Sequence, residues 1–140
     1  MNAPEQPRPG LPSNVAKFEE LMYLSVTVGV VVSALLWDQN VALASQLGVA
    51  FVLFVQAFGL AFVVLLIWLI ARRRKNWARW LFLIVGILGL AFYLGELPTL
   101  LRLYPFAGFL SVVQMGAQTV ATVLIFTGNA RDWFKQSPNY

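Results

Sequence analysis

Gln114, Gln118 and Thr122 follow one another at four-residue steps in an apolar stretch, with Ser111 and Thr119 close by. Amides and hydroxyls in such a setting either line a hydrophilic path or bond to a neighbouring helix, at about 1 kcal/mol per bond. Interhelical bonding is the expectation and a polar path the alternative, with Gln56 of another apolar stretch placed to meet that face. Glu96 is the second candidate, because an ionisable group in an apolar segment is a functional hypothesis by default. It lies about 24 Å of helix beyond Trp80, which carries it to headgroup level. An interfacial pair with Arg102 is expected there, and proton or cation coupling is the alternative. The sequence has no cysteine and no histidine, which removes thiolate chemistry, disulfides, and the commonest metal ligand and neutral-pH base. Asp38, Glu96 and Asp132 fall on different expected sides, and no phosphate loop or nucleophile–base pairing is present. The expectation is a chain without catalytic residues, cofactor or metal.

These residues need elements that hold them in lipid. Of the 140 residues, 59% are hydrophobic and 11% charged, at a mean hydropathy of +0.73. A soluble bundle would place charge on every turn of its outer face. Here the charges cluster between long uncharged runs, which points to an integral membrane protein. Four spans are expected, at about 15–37, 46–71, 78–97 and 106–127, each near the roughly 20 residues a membrane helix needs. Residues 1–14, with four prolines, are expected to be a flexible tail, with Ser13 and Asn14 capping the first helix. Asp38-Gln39-Asn40 is expected to break the apolar run, leaving 41–45 as a lead-in to the second span. Pro98 is expected to end the third span, and Gly128-Asn129 the fourth. Residues 131–140 are expected to lie at the interface as a short amphipathic tail.

Arg72, Arg73, Arg74, Lys75 and Arg79 crowd the connection between the second and third spans. Basic residues resist transfer across a membrane, so this loop sets the orientation. Four spans then place nine of the ten basic residues on one side, with Arg102 alone opposite. The predicted fold is all-α, an up-down-up-down four-helix bundle in a bacterial inner membrane with both termini cytoplasmic. The basic loop is expected to meet anionic lipid, at about 1 kcal/mol per basic residue, and not nucleic acid.

Ser25, Gly29 and Ser33 recur every fourth residue on the first span, and Gly86 and Gly89 share a face of the third. Small residues let membrane helices approach closely. The stripe on the first span serves either packing inside the bundle or a dimer interface.

The run Arg74-Lys75-Asn76-Trp77-Ala78-Arg79-Trp80, opening the third of four spans, resembles that of small bacterial inner-membrane proteins without a known activity. The Pro-rich beginning and the basic, Trp-containing end are similar as well. The resemblance implies a four-helix topology and no reaction. The four-helix small multidrug exporters differ: their glutamate lies within the first helix, whereas Glu19 and Glu20 stand at its entrance. The functional expectation is a non-catalytic membrane protein acting by helix association, either with itself or as a small accessory subunit of a larger membrane complex. The alternative is an oligomeric channel or small-solute transporter.

Overall fold

The computed structural model describes residues 10–135, so the expected amino-terminal tail before Gly10 and the chain after Lys135 lie outside the described residues. Six helices follow in order: α1 (Ser13–Leu35), α2 (Trp37–Leu47), α3 (Val49–Ala71), α4 (Asn76–Leu103), α5 (Pro105–Phe126) and α6 (Gly128–Lys135). There is no strand among the described residues. Four helices, α1, α3, α4 and α5, are long and apolar enough to cross a membrane. Their mean hydropathies are 1.5, 2.7, 2.0 and 1.7.

One end of this helix bundle is tightly built. The start of α1, the end of α3, the start of α4 and the end of α5 meet there, with α6 beside them. Val15, Phe18, Leu66, Ile67, Ile70, Ala78, Ala121, Ile125 and Phe134 form the core. Phe18 sets its ring edge-on to Phe82 at 5.6 Å, a geometry worth about 0.5–1.5 kcal/mol beyond burial. Around this core, Glu19 accepts two hydrogen bonds from Arg72, at 3.0 and 3.1 Å, tying α1 to the end of α3.

The ends of α1 and α5 cap each other, which corrects the expected local cap. Pro12 occupies the cap position of α1, with no side-chain bond. The backbone N–H of Asn14 instead donates to Asn129 Oδ1 at 3.2 Å, and Asn129 Nδ2 donates to Ser13 Oγ at 2.8 Å. Asn14 Nδ2 in turn reaches the Thr127 carbonyl at 3.0 Å and that of Leu124 at 3.5 Å. Each helix terminus has orphan backbone groups, and here the side chains of one terminus satisfy the other. Gly128 makes the turn possible. Its φ is +56°, and Asn14 Nδ2 lies 2.7 Å from where a Cβ would stand.

Three boundaries differ from expectation. Asp38, Gln39 and Asn40 do not break the helix: only Leu36 interrupts it, and Asn40 Nδ2 donates to the Ser33 carbonyl freed there, at 2.9 Å. Residues 41–45, expected as a lead-in, lie within α2. The second apolar run is divided at Gly48, whose φ of +91° few other residues adopt. Pro98 sits inside α4, which continues to Leu103. A proline's φ is already helical, and its missing N–H leaves the Leu94 carbonyl, one turn earlier, without its intrahelical donor. Substitutes for the missing bond are available at that level in a membrane protein.

Candidate functional site: a cleft between α4 and α5

The two helices touch at both ends and part in the middle. At the far end from the arginine loop, Gly108 of α5 lies against α4. A Cβ on it would stand 3.0 Å from Leu101 Cα and 3.1 Å from Leu101 N. At the loop end, Trp80 meets Phe126 edge-on at 5.2 Å. Between these contacts, Gly86 and Gly89 face open space, with nothing within 4 Å of an added Cβ. The gap is a cleft of about 540 Å³, within the size range of small-molecule sites. Gly86, Gly89 and Tyr93 line it from α4, and Ser111, Gln114, Gln118, Thr119 and Thr122 from α5. Met22, Leu66 and Phe82 line it toward the core.

The wall on α5 is the polar face singled out in the sequence. Its two threonines bond within their own helix: Thr119 Oγ1 donates to the Met115 carbonyl at 2.8 Å, and Thr122 Oγ1 to that of Gln118 at 2.7 Å. Ser111 is different. It is 1% exposed, and its hydroxyl has no hydrogen-bond partner among the described residues. An orphaned buried hydroxyl carries a desolvation cost of about 1–3 kcal/mol.

Of the stripe Ser25, Gly29 and Ser33, Gly29 is the residue that lies against α5, while Ser33 accepts from Asn40 of α2. α1 makes its broadest contact with α5, and a Cβ on Gly29 would stand 2.8 Å from Gln114 Nε2. Ser25 is buried to 1% exposure, also without a partner for its hydroxyl. In-chain packing thus accounts for Ser25 and Gly29. Gly86 and Gly89, by contrast, meet no helix and border the cleft.

Two glycine contacts give different expectations. Gly108→Ala meets rigid backbone, so a loss of about 1–3 kcal/mol is expected, the usual range for overpacking. Gly29→Ala meets the end of a flexible amide, which can swing into the cleft, and the expected loss is about 1 kcal/mol or less. Thermal denaturation in mild detergent measures both, and equal losses would contradict the distinction.

Gln56 does not join the α5 face. It is exposed on α3 and donates to Asn40 Oδ1 of α2 at 3.0 Å, so its interhelical bond joins α2 to α3. Glu96 and Arg102 do not pair either. With Pro98 inside the helix, both sit on α4, six residues apart and therefore on different faces, and both are exposed. Arg72–Glu19 is the one salt bridge among the described residues.

Arg74 and Arg79 turn inward, which the sequence pattern did not suggest, while Arg72 and Arg73 stay exposed. Arg73 lies over Trp68 at 4.7 Å, and Arg74 over Trp133 of α6 at 3.3 Å. Arg79 stacks on Phe126 and Phe134 at 4.6 and 4.7 Å and donates to the Ile125 carbonyl at 3.2 Å. A guanidinium over an aromatic face contributes about 0.5–2 kcal/mol, more as water is excluded. Arg74 holds its place with a φ of +52°, a strained value for a residue with a side chain. Lys75, at the α4 cap, and Lys17 on α1 are exposed. The signal for these contacts was present in the aromatics of 68, 126, 133 and 134, but their partners lie in other helices.

No protein-family model, curated protein or solved structure matches the chain.

Proposed function

We propose that the chain is a non-catalytic multi-pass protein of a bacterial inner membrane that acts by helix association, as a self-associating module or a small accessory subunit of a larger membrane complex. Its spans run up-down-up-down, with both termini and the arginine loop on the cytoplasmic side. The positive-inside rule supports this orientation, since nine of ten basic residues fall on that side. Anionic headgroups meet the loop at Lys75 and at the exposed parts of Arg72 and Arg73.

The observation that carries the association reading is the far half of α3. Every residue from Leu53 to Ala61 is exposed. Nine residues are about two and a half turns, so apart from the Gln56 amide bonded to Asn40 no side of the helix is buried there. A helix that belongs to a self-sufficient bundle buries a continuous stripe. Ala57 and Ala61, one turn apart, offer close approach to another helix, and Phe54, Phe58 and Phe62 stack in a ridge at 5.9 and 6.2 Å. With no native cysteine, a single cysteine at Ala57 gives a clean cross-linking probe. The expected result in native membranes is a discrete cross-linked species from Ala57→Cys and none from a cysteine at the packed end of α5, at the buried Ala121. Equal yields at both positions would refute the reading.

The amide wall of the cleft favours a second reading, an oligomeric channel or small-solute transporter. The cleft is closed toward the core by Met22, Leu66 and Phe82, so a path would need further subunits. Solute flux equal in liposomes with and without the protein would exclude it.

A further inference from the structure

The cleft has a chemistry distinct from that of the α3 surface, and its consequences stand whether or not the association reading holds. No charged residue lines it. A phosphate or carboxylate headgroup would lose its water there without a counter-charge, a cost of several kcal/mol. A water-soluble solute would face walls that are mainly aliphatic and aromatic. The polar residues that line it are uncharged: Tyr93, Ser111, Gln114 and Gln118, with Thr119 and Thr122 already bonded within their own helix. The Ser111 hydroxyl is sealed beneath the cleft wall, which leaves the amides as donors at this depth, each carrying two donors and an acceptor. Gln114 lies midway along α5, about 14 Å of helix from Pro105, so these donors stand near the centre of the apolar layer. Ester-headed glycerolipids hold their carbonyls nearer the interface. A molecule that offers carbonyl oxygens at this depth must have a neutral head apolar enough to leave the headgroup layer.

We propose that the cleft binds a membrane quinone: a neutral ring with two carbonyl acceptors, carried on a long apolar tail. The ring lies beside Gly86 and Gly89, where the absent side chains leave room for a flat group, with Tyr93 at its edge. Its carbonyls accept from the amides of Gln114 and Gln118. The tail leaves through the open side of the cleft into lipid. The proposal is one of binding alone and involves no electron transfer.

The test uses the full chain in phosphatidylcholine nanodiscs, titrated with decylubiquinone and, separately, with dioleoylglycerol. Native mass spectrometry counts the ligands retained. The expected result is one saturable decylubiquinone per chain, weakened roughly tenfold or more when Gln114→Leu and Gln118→Leu remove the amide donors. Gly89→Leu, which fills open space and leaves the packed core untouched, is expected to abolish retention while the protein still elutes as one species. Gln56→Leu, outside the cleft, is expected to leave binding unchanged. Non-saturable uptake, equal uptake by the cleft variants, or preferential retention of dioleoylglycerol would each overturn the proposal.

Discussion

Phe18→Ala is expected to lower the stability of the bundle by about 3–5 kcal/mol, the range for removing a large aromatic from a filled core. Phe18 is 0% exposed and sits where α1, α3, α4 and α5 converge. In lipid the apolar phase offers no water-driven penalty for separating helices, so the loss comes from forfeited packing contacts around the cavity. Phe82→Ala removes the other ring of the edge-on pair but faces the cleft on one side, and a smaller loss is expected. The double variant should lose less than the sum of the two, by about 0.5–1.5 kcal/mol, the value of the ring–ring geometry. Denaturation of the four proteins in mild detergent measures this coupling. Simple additivity would show that the two rings do not act as a pair.

Arg79→Ala is expected to cost about 2–3 kcal/mol, from one charge-assisted hydrogen bond and two desolvated cation–ring contacts. Its guanidinium joins the start of α4 to the Ile125 carbonyl and to Phe134, and so holds α6 against the bundle. Burial of a cation also has a cost, and its Nε finds no partner among the described residues. Arg79→Met, which keeps the long apolar stem, should therefore lose distinctly less than Arg79→Ala. The structural readout is α6 itself: proteolysis near Trp133 should become faster in the alanine variant. Unchanged cleavage would mean that Arg74 on Trp133 holds α6 without Arg79.

What was legible in the sequence follows from how the information is stored. Uninterrupted apolar runs are a local signal, and the four long helices follow directly from them. The four-residue spacing of Ser25 and Gly29 is also local, and so is the polar face of α5. The partner of each is not. That Gly29 admits Gln114 emerges only once α1 and α5 lie together. The caps exchanged by Asn14 and Asn129 are harder still, since 115 residues separate them and each reads in sequence as a local signal for its own helix. Pro98 misled because a proline removes one hydrogen bond from a helix without having to end it, and α4 continues on both sides. Asn40 misled because a polar side chain that repairs a break resembles one that causes it. The cleft depends on two helices diverging between two contacts, and no single residue announces that. Gly86 and Gly89 resemble a packing stripe in sequence and border open space in the fold.

The far half of α3 bears the weight of the functional account, and mass is its most direct test. Native mass spectrometry of the protein, extracted from its own membrane in mild detergent, should show the chain only within assemblies heavier than its own 15.6 kDa. Those assemblies should be either a fixed homo-oligomer or a complex with an identifiable membrane partner. Cross-links from α3 in the same assemblies should map to that partner. A chain that leaves the membrane as a stable monomer, with nothing bound to it, would contradict the account.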